Sequence, residues 1–321
     1  MTDNSIVRSV QAFCWSACFL VGVVVLFLAS CQTEITKEPA VSDASAVPEL
    51  TVETKASLPS IFRRDNLVAW AVVPFDAKNR NPKQRAAMLK RLGFSKFAYD
   101  WRDIHIPQFE EEILALQQAG VSFFAFWNTH SSILPLFAKY KMSPQIWWYS
   151  QSPSGTQEQR VKQAALDLVP HVKAAAEVGS TLGLYNHLDW GGEPENLVAV
   201  VRRVREHHQL SNIGIVYNFH HGHAHIQNFA ASLKLMMPYL LCVNLNGMND
   251  NAQPKILTIS QGKHERAMIQ TLRDSGFRGQ VGLIAHQETR DAEVVLRENL
   301  EGLKKILKEQ EDWDALRSYE P

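Results

Sequence analysis

From residue 67 onward the chain alternates short, mostly apolar runs with stretches of helical period. The runs fall at 67–73, 94–99, 121–127, 145–149, 181–185, 213–217, 240–245 and 281–285. Each is too short for a helix and lacks a strict in/out alternation, the pattern of a strand covered on both faces. Residues 82–92, 107–119, 131–140, 156–178, 194–208, 226–237, 263–275 and 291–309 carry apolar side chains at helical spacing. Gly93, Gly120, Gly179 and Gly276 stand where helix C-termini favour glycine. Eight strand–helix units in roughly 250 residues predict an α/β fold of the (β/α)8 TIM-barrel type, with an open doubly wound sheet as the alternative.

The N-terminus is of another kind. Residues 12–29 are apolar and uncharged, Arg8 precedes them, and the run stops at Leu28–Ala29–Ser30–Cys31. That tetrapeptide resembles the lipobox of bacterial lipoproteins, which makes residues 1–31 a signal peptide and Cys31 the lipidation site. The alternative is an uncleaved membrane anchor, because about 18 apolar residues can just span a bilayer. Residues 32–60 are rich in Ser, Thr, Glu, Pro and Ala and poor in large apolar groups, so they are expected to form a flexible linker to a barrel at 61–321. The expected location is the cell envelope, lipid-anchored on the periplasmic or outer-membrane side.

Thirty-three basic against 33 acidic side chains give no net attraction to a polyanion, so no nucleic-acid partner is indicated. Cys14 and Cys18 leave with the signal and Cys31 takes lipid. Cys242 stays alone in a buried strand, so no disulfide is expected.

Chemistry in such a fold gathers where the strands end. Of twelve histidines, His130, His187, His220, His221, His223, His225 and His286 lie just beyond expected strands, whereas His171, His207 and His208 lie in helical stretches. Several imidazoles reaching one barrel face from different strands point to metal binding, proton transfer or recognition of sugar hydroxyls. Adjacent residues after a strand alternate in direction, so only one or two of His220–His225 should face a pocket. Trp70, Trp101, Trp127, Trp147, Trp148 and Trp190 supply aromatic faces that can pack in the core or stack on a sugar ring. Asp100, Arg102 and Glu288 follow strands, and Lys263 begins the seventh helical stretch, as charged candidates. Glu193 and Glu195 flank Pro194 at a helix start, where an acid is explained by the helix dipole alone.

On Tyr185–Asn186–His187, Asn218–Phe219–His220–His221, Asn244–Leu245–Asn246 and Ile284–Ala285–His286, residues 66–309 resemble the sugar phosphate isomerase/epimerase family with its xylose isomerase-like TIM barrel. The resemblance implies a divalent metal held by Glu, Asp, His and Glu after strands five to eight, the two Glu residues also moving a proton between carbons. This chain departs at all four places, which match Tyr185, Asn218, Asn244 and His286; the His of an Asp-x-x-His motif survives as His221. Neutral Asn and Tyr neither compensate metal charge nor accept a proton well. The usual Mn²⁺ or Mg²⁺ site is thereby weakened. His187, His221 and His286 could instead hold a softer ion, which leaves zinc or manganese as the implied cofactor.

The expectation is therefore a membrane-tethered, sugar isomerase- or epimerase-like enzyme that transfers a proton beside a carbonyl. Its catalytic residues would be His187, His221, His286 and Tyr185, and the substrate would be bound by Asp100, Trp127, Asn186, Asn218, Asn244, Asn246, Lys263 and Glu288. Activity should fall on the acid side, as the imidazoles protonate near their ordinary pKa of about 6.5. A lyase or hydrolase acting on an oxidised sugar needs similar chemistry. A carbohydrate-binding lipoprotein that has lost catalysis is the alternative of another class.

Overall fold

Residues 58–320, apart from Leu188, are described by a computed structural model; the signal peptide, Cys31 and nearly all of the linker lie outside the described residues. Strands β1 (Leu67–Trp70), β2 (Lys96–Tyr99), β3 (Ser122–Trp127), β4 (Gln145–Tyr149), β5 (Leu182–Tyr185), β6 (Ile213–Asn218), β7 (Leu240–Leu245) and β8 (Gln280–Ile284) pair in sequence order. They close when β8 pairs in parallel with β1, Leu67 opposite Val281. The open-sheet alternative is thereby excluded.

The closed sheet explains the apolar runs. Inward residues Val68, Trp70, Ala98, Ala125, Trp147, Tyr185, Val216, Cys242 and Ile284 fill the barrel. Their neighbours, among them Leu67, Ala69, Phe97, Tyr99, Leu184 and Val243, pack under the helices. With both faces covered, the middles of the strands are apolar and the polar side chains fall at their ends, as with Asn218 and Asn244.

The helices are α1 (Pro82–Leu92), α2 (Phe109–Ala119), α3 (Leu134–Lys139), α4 (Gln157–Glu177), α5 (Asp189–Gly192), α6 (Pro194–His208), α7 (Phe229–Met236), α8 (Glu265–Asp274), α9 (Ala292–Glu309) and α10 (Trp313–Arg317). Asn81 with Gln84 and Thr156 with Gln159 form capping boxes that satisfy the first amides of α1 and α4. The four expected helix-ending glycines all adopt left-handed φ, between 70° and 81°. The third helix is shorter than its pattern, and α5 and α10 were not anticipated. The strand expected at 67–73 ends at Trp70, because Ala71 turns to a φ of 53° and breaks the ladder.

Between α1 and α2 lies a buried ion pair: Arg85 Nε and Nη2 donate to the Glu112 carboxylate at 2.9 and 2.7 Å, with the two residues 3% and 0% exposed. At the N-terminal end of the barrel, the Ser60 hydroxyl donates to Asp312 at 2.6 Å and Tyr319 donates to the Phe62 carbonyl at 2.9 Å. The chain thus enters the barrel at the end away from the strand C-termini. No described helix is long and apolar enough to cross a membrane.

Arg85→Met should cost about 3–5 kcal/mol in a urea unfolding experiment, since it strands a charge in the interior. Arg85→Met with Glu112→Leu should recover most of that loss, and equal losses in the single and double variants would show that the pair does not act as a unit.

Candidate functional site at the C-terminal rim

The floor of the rim is a set of polar side chains that satisfy one another. Tyr185, at the end of β5, points into the barrel, where its hydroxyl oxygen accepts the Trp70 indole N–H at 2.9 Å and an amide N–H of Asn218. Asn186 ties β5 to β6, its amide donating to the Asn218 carbonyl at 3.0 Å while its oxygen accepts the Asn218 N–H at 2.7 Å. Burial pushes the Tyr185 phenol well up, so it stays protonated.

Asn218 also shapes the histidine run. Its oxygen accepts the His220 backbone N–H at 3.2 Å and starts two successive turns of 3-10 helix, Phe219–His221 and His223–His225. Gly222 joins them, and a Cβ there would lie 2.3 Å from the Tyr217 hydroxyl. Three residues per turn replace the strand's alternation. The expectation that only one or two of these histidines face a pocket is therefore overturned: His220, His221, His223 and His225 all reach cavity walls.

Two adjoining cavities open on this rim. The first, about 310 Å³, has aromatic walls from Trp70, Phe75, Trp127 and Tyr149, with Tyr185 at its base; Asp100, Arg102, His187, His220, His221 and His286 supply its polar groups. His187 and His221 have ring centroids 4.5 Å apart, and His220 and His286 5.6 Å apart. The second, about 390 Å³, shares His187, His220 and His221 with the first and continues over Asn186, Asp189, Glu193, His223, His225 and Lys255.

Burial lowers the pKa of His187, His220, His221 and His286, and for His221 the fall is to about 2, with the neighbouring His187 and the Lys255 ammonium adding to it. The expected acid limb near pH 6.5 from these imidazoles is thus corrected: all four protonate below that value, His220 and His221 well below it. Asp100 moves the other way. Its carboxyl is 6% exposed, and burial raises its pKa to about 6 even though Arg102 donates to it at 2.6 Å.

The candidate residues therefore separate. His187, His221 and His286 meet in the aromatic cavity with Asp100 and Trp127, and Tyr185 lies beneath them. Asn186 lines the second cavity. Asn218, Asn244 and Asn246 are fully or almost fully buried and line neither cavity; Asn218 belongs to the bonded floor, whereas Asn244 Nδ2 and Asn246 Oδ1 have no hydrogen-bond partner. Lys263 is exposed, 3.8 Å from Asp250, and Glu288 is exposed; neither lines a cavity. Glu193 does more than sit at a helix start: it makes no capping bond, and its carboxylate lies 2.9 Å from His225 Nε2. Lys255, Phe75 and Tyr149 were not singled out from the sequence. Tyr149 ends an apolar run and was open to the same argument as Trp127, but nothing local marks Lys255, which arrives on the long loop after β7.

The donors do not suit a metal ion. Among the described residues, no three His, Cys, Asp or Glu side chains are arranged to share one. Of the four positions where the resembled family holds ligands, Tyr185 and Asn218 spend their polar atoms on each other.

Solved structures share this architecture. The 3-keto-D-glucoside 4-epimerase YcjR from E. coli aligns over 75% of this chain and 98% of its own, at 16% identity and a TM-score of 0.56. The IolI protein with a bound zinc atom aligns over 76% and 98%, at 14% identity and 0.59. A xylose isomerase domain protein from Planctomyces limnophilus aligns over 79% and 99%, at 11% identity and 0.55. The chain folds as a xylose isomerase-like TIM barrel. No family model and no curated protein matches its sequence.

The neutral imidazoles carry a stability cost. An unfolded chain binds protons on histidine below about pH 6.5, whereas folded His221 declines them until about pH 2, so folding loses up to ~1.4 kcal/mol per pH unit for such a group across that window. The melting temperature should fall between pH 7 and pH 5, and less steeply in His221→Asn. Equal slopes in the two proteins would place His221 in water.

Proposed function

We propose that the barrel is a sugar-modifying enzyme, of the isomerase or epimerase kind, that moves a proton beside a carbonyl without a metal. The observation that carries this reading is one cavity holding a desolvated carboxyl and several neutral imidazoles between aromatic walls. A carboxyl with a pKa of about 6 changes charge near neutrality, as a general acid–base group should. The indole and phenol faces of Trp127 and Tyr149, stacked 6.0 Å apart at 16°, offer a surface for the apolar face of a sugar ring.

The sequence-based roles shift accordingly. Asp100, first cast as a binding group, takes the proton from the carbon next to the carbonyl. His187, His221 and His286 donate hydrogen bonds to the oxygen on which negative charge then develops, as neutral imidazoles can in a site that excludes water. Return of the proton from Asp100 to the former carbonyl carbon, with the hydroxyl proton passing to the other oxygen through an imidazole, completes an isomerisation; delivery to the original carbon from the opposite face by an imidazole N–H, while Asp100 keeps the proton it took, completes an epimerisation. Arg102, bonded to Asp100, keeps the carboxylate's pKa from rising further. A lipid on Cys31 would put the barrel on an envelope membrane.

The test is proton exchange in D₂O, followed by NMR on a panel of aldoses, ketoses and keto-glycosides. Deuterium should enter beside the carbonyl at a rate that rises with pH through about 6 as Asp100 ionises. Asp100→Asn and His221→Ala should each slow it by on the order of 10²-fold, His207→Ala on the exposed face of α6 should not, and a chelator should leave it unchanged. Sugars that bind without exchange would support the binding-protein alternative, and loss of exchange with the chelator would restore a metal.

A further inference from the structure

We infer that the two rim cavities are subsites of one cleft and that the ligand is a glycoside whose second unit is hydroxylated, in preference to a single sugar or a sugar phosphate. This rests on the sugar reading of the aromatic cavity. The shared wall is His187, His220 and His221, so a molecule seated on Trp127 and Tyr149 meets the second cavity directly past these rings.

The second cavity differs in chemistry. No Trp, Tyr or Phe lines it, so it offers no platform to an aromatic or alkyl substituent. Its ionisable groups are of mixed sign: Asp189 and Glu193 stand with Lys255, His223 and His225. Burial lowers the pKa of His223, so that imidazole is neutral at pH 7 and adds no positive charge. Glu193 engages His225 at 2.9 Å. A phosphate would meet two carboxylates against one lysine, a poor balance for a dianion. Hydroxyl groups, which donate to carboxylates and accept from ammonium and imidazole N–H groups, suit every member of this set.

A separate observation points to a ligand. His187 Nδ1, on the shared wall, and His223 Nε2, on the far wall, are buried side-chain nitrogens that have no hydrogen-bond partner. Buried polar atoms are normally paired, and an orphan in a cavity wall marks a place where a bound group can complete it. Two such atoms, one on the wall between the cavities and one beyond it, suit a ligand that passes from the first into the second.

Calorimetric titration of the purified barrel with glucose, glucose 6-phosphate, cellobiose and maltose separates the possibilities. One of the disaccharides should bind at least about tenfold more tightly than glucose, and glucose 6-phosphate no more tightly than glucose. Glu193→Ala and His223→Ala should each narrow that preference to less than about threefold, whereas Trp127→Ala should weaken binding of every sugar by about tenfold. Disaccharides no better than glucose, or a preference untouched by Glu193→Ala and His223→Ala, would overturn the two-subsite inference while leaving the aromatic sugar site standing. Tightest binding by glucose 6-phosphate would overturn it in favour of an anion subsite. Failure of all four probes to bind would remove the sugar reading itself.

Discussion

Removal of water from the rim is the constraint on which this site depends. The hydroxyl of Tyr185, roofed by the Trp70 indole and an Asn218 amide, closes the barrel mouth with groups that satisfy one another. Above this dry floor, any charge costs desolvation energy that water no longer repays. The imidazoles answer by staying neutral, and the Asp100 carboxyl by holding its proton up to about pH 6. A carboxylate at position 185 or 218 would carry a charge that only a bound cation could offset. Tyr and Asn at these positions carry no such charge.

The metal-free chemistry proposed for this histidine-rich rim rests on the same economy. Metal sites orient each imidazole through a hydrogen bond at its other nitrogen and offset the cation's charge with anionic ligands. Here His220 Nδ1 meets the Asn218 amide at 3.0 Å, His223 Nδ1 meets a backbone carbonyl at 3.0 Å, and His286 stacks on Phe75 with centroids 3.6 Å apart. These contacts fix the rings as hydrogen-bonding walls. Of the carboxyls that line the two cavities, Asp189 and Glu193 stand in the second and Asp100 in the first with His286.

Most of the scaffold was legible in the sequence because a parallel barrel leaves a plain trace. Runs such as Leu182–Leu184 and Ile213–Val216 are buried on both faces and apolar, and Gly93, Gly120, Gly179 and Gly276 end helices ahead of the next strand for reasons of backbone geometry. The meeting of His187, His221 and His286 followed from the same rule, since residues past the strands share one rim. The legible part ended where local conformation left the strand. His220 and His223 turn inward because Asn218 starts a 3-10 turn, and nothing in the run itself announces this. Lys263 looked well placed at a helix start but lies outside on the surface, while Lys255, eight residues earlier on the same loop, reaches the cavity. Asn244 and Asn246 end a strand as site residues should, yet both are buried out of the cavities. Position along a strand does not reveal whether the side chain points above the floor or below it.

The protonation state of the rim imidazoles tests the account most directly. In ¹⁵N-histidine-labelled protein at pH 5, long-range ¹H–¹⁵N correlation spectra should show His221 as a neutral tautomer with two unequal ring nitrogens. An imidazolium pattern at His221 under those conditions would mean that the rim is wet, and with it would fall both the raised Asp100 carboxyl and the metal-free chemistry built on it.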